Sequence, residues 1–134
     1  MPDAEGKAAH LQMIQGVISR MASNSFSLKT LSVTFTAAVL AYLGAVATAS
    51  RLVPVAAGLG VIIFWWLDAQ YLRLEKLFRA LYDCVREKQT TDYSMDTKPF
   101  NRSIRPTWCV AFSWSVVWLY LLLLVVLVLL VFTR

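Results

Sequence analysis

Apolar positions gather into three long runs, and the charged residues are collected between them. Residues 108–133 contain no charged side chain, enough to cross a hydrocarbon layer, which takes about 20 apolar residues. Two earlier uncharged runs, 30–49 and 52–67, approach the same length. The pattern predicts an all-α membrane protein with three transmembrane helices, the first two forming an antiparallel hairpin that extends into the cytoplasm as a helical stalk.

The boundaries follow from the periodicity. Helix 1 is expected over 7–49, its span at about 30–49. Its leading part sets Leu11, Ile14, Ile18 and Met21 at alternating three- and four-residue steps, one apolar seam on a mixed helix. Pro54 suits the first turn of a second helix, where its missing N–H has no partner to lose. Helix 2 is expected over 54–88, with a span at about 52–67. Beyond that span Tyr71, Leu74, Phe78, Leu81 and Val85 keep the three-four step into the charged region. The two seams predict a projecting stalk; the competing arrangement is an amphipathic helix lying flat on the leaflet. Residues 89–107, broken by Pro99 and Pro106, read as a cytoplasmic loop, and 108–133 as the third span. The chain forms one membrane domain over 1–134.

A short turn between two spans requires them to lie antiparallel. If that turn is centred near Arg51, facing residue numbers sum to about 104. This register sets Ala49 against Ala56 and Ala45 against Gly60, and brings Lys29 near Glu75. Ala37, Ala41, Ala45 and Ala49 recur every fourth residue, a ridge of small side chains that permits close helix approach in lipid.

Charge sets the orientation. The net charge is +5, with Lys7, Arg20 and Lys29 before the first span and most other cations between the second and third. The positive-inside bias therefore puts the N-terminus and residues 73–105 in the cytoplasm, with the C-terminus on the far side of the membrane. The basic face either records topology alone or attracts anionic lipid; nucleic acid is not an expected partner. Residues 1–20 lack the features of a cleaved secretory signal and are expected to be retained. Cys84 and Cys109 are expected to pack as free thiols.

The chemistry is sparse. His10 is the one histidine, and no phosphate loop, nucleophile elbow or metal-ligand spacing occurs, so no catalytic residue, metal or cofactor is expected. Asp68 lies just past Trp65 and Trp66, where a carboxylate near low dielectric needs a partner or a proton. Lys29 is the candidate, with Glu75 competing for it. The trio either locks the hairpin where it leaves the membrane or serves as an ionic latch. Ser25, Lys29, Ser32 and Thr36 fall on one face of helix 1. Such hydroxyls either wet a pore entrance in an oligomer or bond their own i−4 carbonyls and cement helix pairs. Trp114, Trp118 and Tyr120 are expected to pack toward the hairpin.

The string Asn24-Ser25-Phe26 with Lys29, followed by Phe64-Trp65-Trp66-Leu67-Asp68-Ala69-Gln70-Tyr71-Leu72-Arg73-Leu74-Glu75 and Phe78-Arg79-Ala80-Leu81-Tyr82-Asp83, resembles a family of small, largely uncharacterised bacterial membrane proteins. The resemblance covers the hairpin and its extension but not the third span. The layout is also similar to two-span effector modules predicted in bacterial conflict systems, from which this chain departs by its third span. Together these lead to the expectation of a self-associating, homo-oligomeric inner-membrane effector or scaffold, assembled or triggered through its stalk and capable of forming a pore or perturbing the bilayer. The alternative is a passive anchor for a cytoplasmic protein partner, an enzyme or sensor; a small-solute transporter or channel comes third.

Overall fold

The computed structural model describes residues 2–87 and 92–133, with side chains from Ala4 onward. Its described residues form four α-helices and one short 3-10 turn: α1 (Pro2–Ala45), α2 (Leu52–Glu87), the 3-10 turn (Lys98–Phe100), α3 (Thr107–Ala111) and α4 (Trp114–Thr133). Three of them, within α1, α2 and α4, are long and apolar enough to cross a membrane. The expected last residue of helix 2, Lys88, and the first residues of the loop, 89–91, lie outside the described residues.

No proline interrupts α1 after its first turn, so 44 residues form one rod about 66 Å long. It ends four residues before the expected limit of 49. Ser50 explains the early turn: its Oγ accepts the Leu52 N–H at 3.2 Å, satisfying a donor that the start of α2 leaves open. The turn between Ala45 and Leu52 is thus centred before Arg51, and α1 and α2 pack in a hairpin-like arrangement with another register. Facing residues sum to about 97 instead of 104, as Lys29 against Asp68 illustrates. Gly60 then lies under Phe35, whose ring is 3.2 Å from where a Cβ would stand, and not opposite Ala45.

The new register turns the alanine ridge outward. Ala37, Ala41, Ala45 and Ala56 are exposed, and Ala49 is half-buried in the turn. The buried face of α1 carries Ser25, Ser32, Thr36 and Leu43 instead. Hydroxyls can occupy that face because Thr36 Oγ1 donates to the Ser32 carbonyl and Ser32 Oγ to the Lys29 carbonyl, each at 2.8 Å. A hydroxyl bonded to its own helix needs no partner across the interface.

Two apolar clusters hold the rods together. Ala57, Val61, Val116, Tyr120, Leu123 and Leu127 join α2 to α4. Ile14, Ile18, Leu81 and Val85 join α1 to α2 at the far end, with Leu11, Phe78, Tyr82 and Phe100 around them. Most of the stalk seam meets there. Leu74 does not: it is 37% exposed, and Leu77, at 4%, takes the inward position. Met21 and Tyr71 are half-buried.

The third apolar run is broken. α3 ends at Ala111 and α4 begins at Trp114, because the Trp65 indole N–H donates to the Ala111 carbonyl at 2.9 Å and takes the acceptor that Ser115 would use in a continuous helix. Trp114 and Trp118 turn outward, 78% and 53% exposed, so of the three aromatic residues expected to face the hairpin only Tyr120 does so.

Candidate functional site

Between the two apolar clusters lies a buried polar layer contributed by α1, α2 and α4. Asp68 is at its centre with no exposed surface. One turn of α1 brings Ser25 and Lys29 to it together, since residues four apart share a face. The Lys29 ammonium stands 2.6 Å from Asp68 Oδ2 and 2.9 Å from Oδ1, and donates to Ser25 Oγ at 2.8 Å. Ser25 Oγ in turn donates to Asp68 Oδ1. The carboxylate thus receives an ammonium and a hydroxyl, which is what a buried anion requires.

Lys29 differs from its partner in one respect. Its side chain is 26% exposed, whereas that of Asp68 is fully enclosed. A cleft of about 310 Å³ lined by Lys29, Thr30, Val33, Thr34 and Leu119 lies beside the lysine, between α1 and α4.

The third wall is Tyr120 of α4. It is fully buried, its phenol lies against Asp68 and Ser32, and its ring stacks on Trp65 at 6.2 Å with planes 9° apart. Its hydroxyl makes no well-formed hydrogen bond to the described residues. Sequence reasoning gave Tyr120 a packing role only. Its signal was available: a polar-tipped ring followed by twelve apolar residues needs a polar neighbour when buried.

Glu75 does not compete for Lys29. It pairs with Arg79 on its own helix, Oε1 lying 2.7 Å from Nη2 and 2.8 Å from Nε, because the shifted register carries it about two turns beyond Lys29. The latch trio reduces to a Lys29–Asp68 pair, with Ser25 and Tyr120 completing it. Ser32 and Thr36 line the same buried face inside the single chain.

The other end of the stalk has contacts that sequence reasoning missed. His10 is 3% exposed and meets Tyr93 edge-on, with ring centroids 5.7 Å apart. Gly6 admits the Tyr93 hydroxyl, which would lie 2.6 Å from an added Cβ. Lys7 Nζ donates to the Arg86 carbonyl at 3.0 Å. The N-terminal turns of α1 are thus fastened to α2 and the loop. Among the described residues no group of three His, Cys, Asp or Glu could hold a metal ion, and Cys84 and Cys109 are free thiols.

The arrangement can hold or release one charge pair where three helices meet. No family model matches the chain, and neither the curated proteins nor the solved structures contain a match.

Proposed function

We propose that the chain is a self-associating bacterial inner-membrane effector or scaffold and not an enzyme. Its N-terminus and stalk lie in the cytoplasm, its C-terminus outside, and the stalk receives a partner or drives assembly. The observation that carries this reading is the outward face of α1. Thr30, Thr34, Ala37, Ala41 and Ala45 fall along one side of the helix and are all exposed in the single chain. Lipid tails gain little from such a face, whereas another helix can approach it closely, and close packing is what favours helix association in a bilayer. The ridge that failed to find its partner within the hairpin is free to find it on a second copy.

The Lys29–Asp68 pair supplies the coupling. It sits where the stalk joins the apolar ends of the helices, and Tyr120 makes the position of α4 depend on it. Withdrawal of Lys29 toward its cleft leaves Asp68 to Ser25 and Tyr120 and changes how α4 seats on the hairpin.

The test is the mass of the protein–lipid particle in nanodiscs. The wild type is expected to be a defined oligomer, and Ala41→Leu with Ala45→Leu to shift it toward monomer with unchanged helix content. A monomeric wild type sinks the reading. The passive-anchor alternative draws on a different feature, an open polar cleft of about 230 Å³ on the stalk between Gln15, Ile18, Arg79, Tyr82 and Asp83. Expression followed with a potential-sensitive dye separates the two. Loss of potential supports the effector, and an unchanged potential with a stoichiometric soluble partner supports the anchor.

A further inference from the structure

α2 and the segment leading into α4 run antiparallel and are tied at three rungs. Arg73 Nε donates to the Arg105 carbonyl at 3.3 Å, Thr107 Oγ1 to Gln70 Oε1 at 3.3 Å, and Trp65 Nε1 to the Ala111 carbonyl at 2.9 Å. Beside the last rung, where α3 breaks from α4, an apolar cleft of about 190 Å³ opens between Ile62, Trp65, Trp66, Trp108, Ala111 and Phe112. Trp66, Trp108 and Phe112 are 49%, 61% and 66% exposed, so the cleft faces outward and is not closed by any other described part of the chain.

The opposite end of the ladder is cationic. Arg73 holds the Arg105 carbonyl and the Asn101 side chain, which gathers Arg73, Arg102 and Arg105 into one short stretch of surface. Among the described residues none of the three has a carboxylate at ion-pair distance, whereas Lys29, Arg79 and Arg86 do. Like charges grouped on one stretch of surface repel, and an anion among them relieves that repulsion. Ile62, Trp66 and Arg73 follow one another at four- and seven-residue steps, so they share a face of α2. The rise from Trp66 to Arg73 is about 10 Å, comparable to the depth over which an interfacial group passes from headgroup to acyl chain.

We propose that this face binds one anionic glycerophospholipid, its phosphate between Arg73 and Arg105 and an acyl chain against Trp66, Trp108 and Phe112. The inference rests on the membrane reading but not on self-association. A zwitterionic lipid brings its own ammonium to the arginines and leaves their repulsion in place. A net negative headgroup removes it, and the tryptophans suit the interfacial level at which the chain enters.

Brominated acyl chains quench nearby tryptophan and provide the assay. The protein with Trp114→Phe and Trp118→Phe, which retains Trp65, Trp66 and Trp108, is placed in vesicles of phosphatidylcholine containing brominated phosphatidylglycerol or brominated phosphatidylcholine. Quenching by the anionic lipid is expected at about five-fold lower mole fraction, the preference that one arginine near a surface confers. Arg105→Gln should cut the preference several-fold, and Arg102→Gln, which touches no described hydrogen bond, should lower it by less. Arg20→Gln removes the same charge from the exposed side of α1 and should leave it intact. Equal quenching in the parent protein, an unchanged preference in Arg105→Gln, or an equal loss in Arg20→Gln overturns the site. Absence of quenching by either lipid overturns the membrane reading itself.

Discussion

Removing the cation from the polar layer should cost far more than removing the anion, although both changes break the same pair. In Lys29→Met the Asp68 carboxylate, which has no exposed surface, keeps Ser25 but loses its counter-ion. Breaking a buried pair this way costs about 3–5 kcal/mol. Because Lys29 is 26% exposed, the lower end applies, about 3 kcal/mol, or roughly a hundredfold in the folding equilibrium. In Asp68→Asn the lysine is not stranded: its side chain is 26% exposed, and its long stem can carry the ammonium toward the polar end of the helix. The Asn carbonyl still accepts from Ser25, so the loss should be about 1 kcal/mol. The double variant should resemble Asp68→Asn alone, giving a coupling energy of about 3 kcal/mol in magnitude. The assay is reversible unfolding in mixed micelles by titrated dodecyl sulfate, followed by helix ellipticity. Additive effects, or a Lys29→Met protein within about 0.5 kcal/mol of the wild type, would refute the argument that Asp68 depends on this ammonium.

Ile14 is fully buried in the stalk cluster, so Ile14→Ala should destabilise by about 2–4 kcal/mol. Amide exchange should rise in both stalk helices and not in α4; uniform loosening would contradict two separate clusters. Gly60→Val presses a branched side chain on the Phe35 ring, 3.2 Å from the position of its Cβ. It should lower stability by about 1–3 kcal/mol, with Phe35→Leu restoring much of the loss; no rescue means the two do not touch. Trp65→Phe frees the Ala111 carbonyl. The Ser115 amide should then gain exchange protection as α3 and α4 fuse, whereas an unprotected Ser115 would place the cause of the break elsewhere.

The three long helices were legible because a run without charge admits few interpretations, and the stalk seam because its spacing persists where composition turns polar. Lys29 and Asp68 were legible as partners because each is a charge bordering an apolar run. Their alignment was not. A shift of a few residues in the turn is doubled in the sum of facing residues, and the turn was fixed by Ser50 bonding Leu52, a contact that periodicity does not register. The alanine ridge was set inside on the rule that small residues make interfaces. Ser32 and Thr36 took that place by satisfying their hydroxyls on their own helix. The break after Ala111 depends on an indole 46 residues earlier in the chain, and Tyr93 reaches Gly6 across most of the sequence. Local patterns carry no trace of either. Phe100 joins the cluster of Ile14, Ile18, Leu81 and Val85 although its neighbours read as a polar loop, since two aromatic rings in nineteen residues produce no period.

The length of α1 gives small tilts a large reach. From Lys29 to the first described side chain, Ala4, the helix runs 25 residues without interruption, about 37 Å at the usual rise. Since Lys7 and Ile14 tie α1 to α2, the two rods lean together, and a lean of about 10° displaces the N-terminal tip by roughly 6 Å, more than one helical turn. In a bilayer, a change in thickness that altered tilt by that amount would be magnified at the far tip.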